Sequence, residues 1–237
     1  TPAPTTLAPT TVPVTASSAP ASGTATPSVP GVATSSLVPS PSVTGYAAAD
    51  PARIVRDMTA AARAASSVRV SGSLDQGGST VVLDVTYAGA DAEGSANFAK
   101  SSLELVRAGG ALYIRAPREV WLAQGVKEAA LPRVVGKWVR LPSADAERFR
   151  ILTDLQYLLA NFERTAYVVD GAQTVNGVEA VALRDSAGTV LTVEAAAPHV
   201  PLTITGGAGN GSLTFTRWNR PVSITAPAGA VNLSSVG

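Results

Sequence analysis

Two kinds of hydrophobic pattern divide the chain from residue 50 onward. A helical pattern comes first: Asp50 precedes Pro51, a favourable helix start, and apolar side chains then recur on one face as far as Ala65. After this helix, apolar and polar residues alternate in about ten short segments, as in β-strands with one buried face. The pattern therefore predicts a helix over about residues 51–65, followed by a long run of antiparallel strands.

Turn residues separate the predicted strands and indicate hairpins between neighbours. Gly77-Gly78, Gly109-Gly110 and Asn176-Gly177 are hairpin signals, because tight turns that match strand twist require positive φ, which glycine adopts at little cost. Ser186–Gly188 and Gly206–Gly211 mark two later turns. The strands should therefore pair as a meander.

A second helix is predicted in the segment ILTDLQYLLANF. Thr153 and Gln156 match a capping box, and an apolar stripe at helical spacing follows them. The predicted fold class is α+β, because about ten strands cannot remain flat and their twist should curl the sheet into an open or partly closed barrel.

Little material is available to cover the apolar face of this sheet. The chain offers two short helices and an irregular middle stretch, and aromatic residues make up only 5% of it. Two interpretations remain open: the curved sheet encloses a hydrophobic cavity, or it folds down on itself around a filled core. Trp121 and Trp138 could lie at the rim of a cavity or in the core.

Residues 1–49 differ from the rest because they carry no charge and are rich in Pro, Thr, Ser and Ala. Such a segment has too few large side chains to bury, so the entropy cost of ordering it is not offset. We expect a disordered linker over residues 1–49, with disorder as far as about Tyr46, and a folded domain over residues 50–237.

Composition excludes several classes of function. The chain has 18 basic and 17 acidic residues, one His and no Cys. Disulfide frameworks, Cys-ligated metal centres and His-rich metal sites are therefore ruled out, and no cofactor is predicted. A nucleic-acid partner is not expected, because binding phosphates requires clustered Lys and Arg.

The sequence shows no arrangement typical of an enzyme. His199 lies between two prolines in AAPHVPLT and is interpreted as a loop residue, since nothing nearby completes a catalytic triad. The glycine-rich segment 206–211 precedes a strand, whereas a phosphate-binding loop precedes a helix. We therefore expect a binding protein and not an enzyme.

The order of these elements resembles that of the actinobacterial envelope lipoproteins of the LprG/LppX type. The resemblance covers about residues 50–233 and rests on the helix at Asp50-Pro51 followed in order by ASSVRVSGSLD, LYIRAP, KWVRLP, ILTDLQYLLANF, TVNGVEAVALRD and LTFTRWNRPVSITAPAGAV.

This resemblance implies a LolA-like fold, in which a strongly curved antiparallel half-barrel has helices across its concave face and a hydrophobic cavity between. It implies an extracytoplasmic lipid carrier that holds one or more acyl chains of a glycolipid, phospholipid or triacylglycerol. It also implies a place in the cell envelope, anchored to the outer face of the cell membrane through an acylated Cys before the linker. That Cys is not in this chain. We further expect a monomer.

The expected lipid-binding residues face one side of the sheet or lie on the second helix, and each of them could equally be ordinary core. They are Leu83, Val85, Leu103, Leu105, Leu112, Ile114, Leu155, Leu158, Leu159, Phe162, Leu183, Leu191 and Val193. An alternative function is a non-catalytic sensing or protein-interaction module on the same scaffold. An enzyme acting on lipids is a third hypothesis.

Overall fold

The computed structural model describes residues 45–76, 79–98, 101–207 and 210–235. Most of the predicted linker, residues 1–44, and the predicted Gly77-Gly78 turn lie outside these ranges. A short 3-10 turn at Gly45–Ala48 precedes the first helix, and Ala47 is buried in the core. The ring of Tyr46 stacks on His199 with centroids 3.9 Å apart, so the chain already packs on the domain before residue 50.

The described part contains six α-helices and twelve strands, all in one sheet. The helices are α1 (Pro51–Ala64), α2 (Arg118–Ala123), α3 (Leu131–Val134), α4 (Ser143–Ala146), α5 (Arg150–Thr153) and α6 (Leu155–Arg164). The strands are β1 (Val68–Gln76), β2 (Ser79–Ala88), β3 (Asp91–Phe98), β4 (Ser101–Ala108), β5 (Ala111–Arg115), β6 (Val139–Arg140), β7 (Tyr167–Val175), β8 (Val178–Asp185), β9 (Val190–Glu194), β10 (Pro201–Thr205), β11 (Gly211–Thr216) and β12 (Val231–Asn232).

The sheet is large, open and curved, with strand order β12-β6-β5-β4-β3-β2-β1-β11-β10-β9-β8-β7. All its pairs are antiparallel except β12 with β6. The predicted α+β class with a curved antiparallel sheet is confirmed. The strand β12 was not predicted, because two residues are too few to show an alternating pattern.

The chain reaches both edges of the sheet through the segment between β6 and β7. The strand β6 lies next to one edge and β7 forms the other, so the intervening helices α4, α5 and α6 carry the chain from one side to the other. The apolar residues of α6 belong to the core, so this connection passes over the apolar face. The topology thus places α6 across the sheet.

Glycines allow the strands to approach closely at three inward-facing positions. A Cβ added at Gly94 would lie 2.1 Å from the carbonyl oxygen of Asp84 on the neighbouring strand. The same construction at Gly72 would meet the carbonyl oxygen of Ser212 at 2.0 Å. Gly211 is equally tight against β1. Glycine inside a strand often marks a tight bend or a close backbone approach, which fits the curvature of this sheet.

The predicted turns agree with the structure where it describes them. Asn176 and Gly177 have φ values of 51° and 82° and connect β7 to β8, while Gly109 and Gly110 connect β4 to β5 with φ values of 57° and 78°. Two successive residues with positive φ define the hairpin turn that matches strand twist.

The helix starts agree with the sequence in one case and differ in the other. Asp50 caps α1, and its carboxylate accepts hydrogen bonds from the amides of the second and third helical residues. The predicted Thr153–Gln156 capping box of α6 is wrong. Asp154 caps this helix by accepting from the amide of Tyr157 at 3.1 Å, and the Thr153 hydroxyl donates instead to the carbonyl oxygen of Phe149. An ionised carboxylate, as in Asp154, is a stronger acceptor for a helix amide than a neutral hydroxyl, as in Thr153.

Candidate lipid-binding interior

The thirteen residues predicted to bind lipid come together in one apolar cluster between the sheet and the helices. Leu158 is partly buried against this cluster, and Leu83, Leu155 and Phe162 are each 7% exposed. The remaining nine are at most 3% exposed: Val85, Leu103, Leu105, Leu112, Ile114, Leu159, Leu183, Leu191 and Val193. The structure thus places the whole set on one surface, and their contact with lipid stays a prediction.

The helices α1 and α6 are the two longest in the described part, and both contribute to this interior. The helix α1 buries Ile54, Val55, Met58 and Ala62, which recur at the spacing of a single helix face. The helix α6 buries Leu155, Leu159 and Phe162. Both helices therefore supply side chains that cover the apolar face of the sheet.

The two helices are joined at the surface by polar side chains. The guanidinium of Arg63 on α1 donates two hydrogen bonds to the carboxylate of Glu163 on α6, at 2.5 and 2.9 Å, and a third to the amide oxygen of Gln156 at 3.1 Å. The hydrogen bond from Arg63 holds the pKa of the Glu163 carboxyl below its ordinary value. The Arg63 and Glu163 side chains remain 40% and 36% exposed, so water reaches this contact.

A cavity of 610 Å³ opens beside this contact, between the start of α1, the end of α6 and the start of β7. Val55, Ala166 and Tyr167 give it an apolar part, and Arg56 and Glu163 give it a polar part. Of the thirteen predicted residues none lines this cavity. It lies at the junction where the two covering helices meet the edge strand.

A second cavity, of 370 Å³, lies where α4 and α5 meet the β4–β5 hairpin, and Leu112 of the predicted set lines it. Arg107 of β4 also lines it, with its Nη1 3.6 Å from the carboxylate of Asp154 and 3.3 Å from the carbonyl oxygen of Thr153. Arg150 lies 3.2 Å from the same carboxylate and 3.0 Å from that of Glu147. The wall of this cavity is therefore mainly polar.

Asp154 is the centre of this charged group. Burial by itself would raise the pKa of its carboxyl, but the hydrogen bonds from the Tyr157 amide and from Arg150, with the nearby charge of Arg107, lower it below the ordinary value. Asp154 therefore stays ionised while it caps α6 and contacts two guanidinium groups.

Sequence reasoning missed Arg107 as a residue of the interior. The alternation in SLELVRA places Arg107 on the same side of β4 as Leu103 and Leu105, and that pattern was the available signal. A charged residue in an apolar row requires a partner or a ligand. Its ion-pair partner, Asp154, lies more than forty residues further along the chain.

Of the two tryptophans considered for a cavity rim, one is buried in the core and the other lies on the polar side of the sheet. Trp121 is fully buried, and its indole nitrogen donates to the carbonyl oxygen of Ala116 at 3.1 Å. Trp138 lies against the polar side of the sheet, where the Arg115 guanidinium is 5.0 Å from its ring centroid. His199 lies in the loop between β9 and β10, as predicted.

Within the described ranges, no cluster of three or more His, Cys, Asp or Glu residues is arranged to hold a metal ion. In the same part of the chain, no helix is long and apolar enough to cross a membrane.

The fold and its interior define a class of α+β proteins in which helices cover the apolar face of a large curved antiparallel sheet. The chain is similar to LprF from Mycobacterium bovis, with 18% identity, 75% of this chain and 97% of that chain covered, and a TM-score of 0.48. It is also similar to the lipoprotein LppX from Mycobacterium tuberculosis, with 16% identity, coverage of 75% and 100%, and a TM-score of 0.49.

An uncharacterized conserved protein from Thermus thermophilus is more distant, at 12% identity, coverage of 76% and 96%, and a TM-score of 0.40. Neither a protein-family model nor a curated protein matches the sequence.

Proposed function

We propose that this protein is a non-catalytic lipid-binding protein that holds one or more acyl chains between α1, α6 and the apolar face of the sheet, and carries or presents the lipid. One observation supports the proposal above all. The apolar face of a twelve-stranded sheet is covered by six helices, only two of which are longer than six residues in the described part of the chain.

Displacing α1 to admit an acyl chain is energetically feasible. The helix buries three large apolar side chains, Ile54, Val55 and Met58, and burial of each contributes roughly 1.5–3 kcal/mol, or roughly 5–9 kcal/mol in total. An acyl chain of about sixteen carbons gains about 13 kcal/mol when it leaves water, at about 0.8 kcal/mol per CH₂. For lipid that enters from water, a bound chain that replaces these side chains therefore offsets the cost of moving them. A chain that leaves a membrane gains little of this energy, because it was already in an apolar environment.

The surface contact between α1 and α6 does not oppose such a movement strongly. Solvent-exposed ion pairs contribute about 1 kcal/mol or less, because water competes for both charges. The Arg63–Glu163 pair is of this kind. The cavity of 610 Å³ beside it supports this junction as the entrance for the lipid.

We also propose that the protein acts as a monomer in the cell envelope, at the outer face of the cell membrane, where a lipid anchor preceding the linker would hold it. The composition of residues 1–49 supports this, because an uncharged segment rich in Pro, Thr and Ser suits an extended spacer. The lipid would be a glycolipid, a phospholipid or a triacylglycerol.

The alternative, a sensing or protein-interaction module, is favoured by a different observation. Nine of the thirteen inward residues are at most 3% exposed. This exposed fraction counts side-chain surface that faces an internal void, provided the void is large enough to hold water. Apart from Leu112, which lines the cavity of 370 Å³, these side chains therefore pack almost entirely against protein. A core that stays packed in this way would present the scaffold to a partner without taking up lipid.

A cross-linking experiment separates the two functions. The chain has no Cys, so the double variant Arg63→Cys/Glu163→Cys can be joined specifically by a short bis-maleimide that ties α1 to α6. Uptake of the fluorescent fatty acid cis-parinaric acid should occur before cross-linking and be lost after it. The matched control joins Glu104→Cys to Arg115→Cys, an exposed pair on neighbouring strands away from the two helices.

The interaction module would be favoured by two results together: the wild-type protein does not take up the probe, and native mass spectra show no lipid on protein purified from its own organism. Uptake that persists in the protein cross-linked between α1 and α6 would show that lipid enters elsewhere. Equal loss of uptake in the control would show damage unrelated to this junction.

A further inference from the structure

The segment just before α1 packs on the interior as well as on the helix that follows it. Residues 45–49, here named the strap, begin with a turn that lies against β7 and β8. Ala47 is 4% exposed within the core cluster, and Tyr46 and Ala49 pack on the same cluster. The strap therefore covers part of the apolar face beside the edge strand.

Tyr46 joins the start of α1 to a loop of the sheet. Its ring stacks on His199 in the β9–β10 loop, with centroids 3.9 Å apart and planes 9° from parallel. Its hydroxyl donates to Oδ2 of Asp57 on α1 at 3.3 Å. Burial and the nearby charge of Asp57 raise the pKa of Tyr46 to about 12, so the hydroxyl keeps its proton and remains a donor. One side chain thus contacts both α1 and the β9–β10 loop.

The other end of α1 is held firmly by hydrogen bonds to the segment after β11. The Ser66 amide donates to the side-chain oxygen of Asn219 at 2.8 Å, and the Asn219 amide donates to the Ser67 carbonyl oxygen at 2.9 Å. The Ser67 hydroxyl donates to the carbonyl oxygen of Arg220 at 2.5 Å. Since β1 begins at the next residue, in the middle of the sheet, this end of α1 cannot move without disturbing the sheet.

The start of α1, in contrast, borders open space. Asp50, Pro51, Ala52 and Val55 line the cavity of 610 Å³. Val55 also belongs to the buried core cluster, so this face of the helix separates the cavity from the apolar interior. Movement of the start of α1 away from the sheet would therefore join the two spaces.

We propose that the strap is a latch: while Tyr46 is stacked on His199, the start of α1 stays closed over the interior, and when the stack opens, α1 turns about Ser66 and Ser67 and admits the lipid. This inference rests on the proposed lipid-binding function and names the contact that controls its entrance. Because the helix turns as one piece, the movement also separates Arg63 from Glu163, the exposed pair that opposes it only weakly.

The competing explanation is that the stack of Tyr46 on His199 only adds to the stability of the whole domain. The two explanations differ in where the protein opens. A latch on α1 governs a local opening, which exposes the amides at the start of this helix without unfolding the sheet. A general contribution to stability governs global unfolding, which exposes the amides of the core strands as well.

The test uses two variants that each remove one ring of the stack. Tyr46→Ala removes the first ring. His199→Asn removes the second and keeps the backbone, because Asn accepts the left-handed conformation that His199 adopts with φ of 65°. In each variant, hydrogen–deuterium exchange of the amides of residues 51–58 should be about two- to tenfold faster, the factor expected for loss of one aromatic pair, while exchange in β1 stays unchanged.

Lipid entry is measured separately, as the rate of cis-parinaric acid uptake in stopped-flow fluorescence. This rate should rise by about the same two- to tenfold factor in Tyr46→Ala and in His199→Asn. The double variant should be no faster than either single variant, because both changes remove the same contact.

Two control variants keep the stack. Tyr46→Phe keeps the ring and removes only the hydroxyl, whose distance of 3.3 Å from Asp57 is long for a hydrogen bond, so exchange and uptake should stay close to those of the wild type. Trp138→Ala removes an aromatic contact with Arg115 on the polar side of the sheet, so it should change neither the exchange of residues 51–58 nor the rate of uptake.

Unchanged exchange and uptake in Tyr46→Ala and His199→Asn would overturn the latch and leave the lipid-binding proposal intact. Faster exchange along the whole chain would overturn it too, because the stack would then act on overall stability. Faster exchange of residues 51–58 with an unchanged rate of uptake would show that lipid enters elsewhere, which also overturns it. Faster exchange of these residues, with no uptake by any of the proteins including the wild type, would support a latch on α1 and overturn the proposed function.

Discussion

Replacement of Gly94 by alanine tests whether close strand approach is required for the curved sheet. Gly94 lies in β3 and pairs with Val85 and Leu105 on its two sides. An added methyl group would lie 2.1 Å from the Asp84 carbonyl oxygen and 2.7 Å from the Cα of Val85, both of them backbone atoms. The clash cannot be relieved by rotating a side chain, so β2 and β3 must move apart.

The expected cost has two parts. Forcing an extra methyl into packed structure costs about 1–3 kcal/mol, and separating the strands weakens one or two ladder hydrogen bonds at about 1 kcal/mol each. We therefore expect the free energy of unfolding to fall by about 2–5 kcal/mol, and Tm to fall by about 10 °C, given roughly 2–4 °C per kcal/mol for a domain of this size. Circular dichroism during thermal and urea unfolding measures both quantities.

The control is Gly89→Ala, in the turn between β2 and β3. Gly89 has φ of 59° and no atom within 4 Å of an added Cβ, so this variant should lose only about 1–2 kcal/mol from the left-handed backbone. If Gly94→Ala is no less stable than Gly89→Ala, the close approach at Gly94 does not constrain the sheet, and the curvature must have another cause.

Two further predictions concern single polar contacts. The hydrogen bonds from Arg69 hold the pKa of Asp84 below its ordinary value of about 3.9. The Arg69–Asp84 pair therefore stabilises the fold fully above about pH 3.9, and this contribution is lost as the pH falls through the lowered pKa of the folded protein. Asp84→Asn should show a weaker dependence of stability on pH below about pH 4, measured by urea unfolding. Trp121→Phe should cost about 1–3 kcal/mol, because it removes one of the two hydrogen bonds to the Ala116 carbonyl, which keeps the Gly136 amide, and leaves unfilled space where the buried indole packed. Trp138→Phe on the polar side of the sheet should cost less than about 1 kcal/mol, and equal losses would contradict this reasoning.

Much of the local structure could be predicted from the sequence because it depends on near neighbours. The pair Asn176-Gly177 forms a hairpin turn wherever the flanking residues alternate, and Asp50-Pro51 starts a helix through contacts within its own first turn. The cap of α6 was predicted wrongly because two adjacent residues, Thr153 and Asp154, could both serve, and only the backbone geometry selects between them.

Contacts between distant segments could not be predicted in this way. The pairing of β1 with β11 joins residues about 140 positions apart and unites the two halves of the sheet, and no local pattern specifies which strands become neighbours. The Arg63–Glu163 contact between α1 and α6 and the meeting of Arg107 with Asp154 have the same origin. These two contacts between charged residues could therefore not be predicted from the sequence.

By itself the sequence determined that the chain forms alternating strands with one apolar face, two amphipathic helices and an uncharged leading segment, because periodicity and turn chemistry act within a few residues. The tertiary structure decided which side chains become neighbours: it laid α6 across the sheet, packed the thirteen apolar residues into one cluster, and brought Arg107 and Arg150 to Asp154. Those outcomes depend on the shape of the whole sheet, since closure of long loops and packing of distant surfaces are settled only when all the elements are in place.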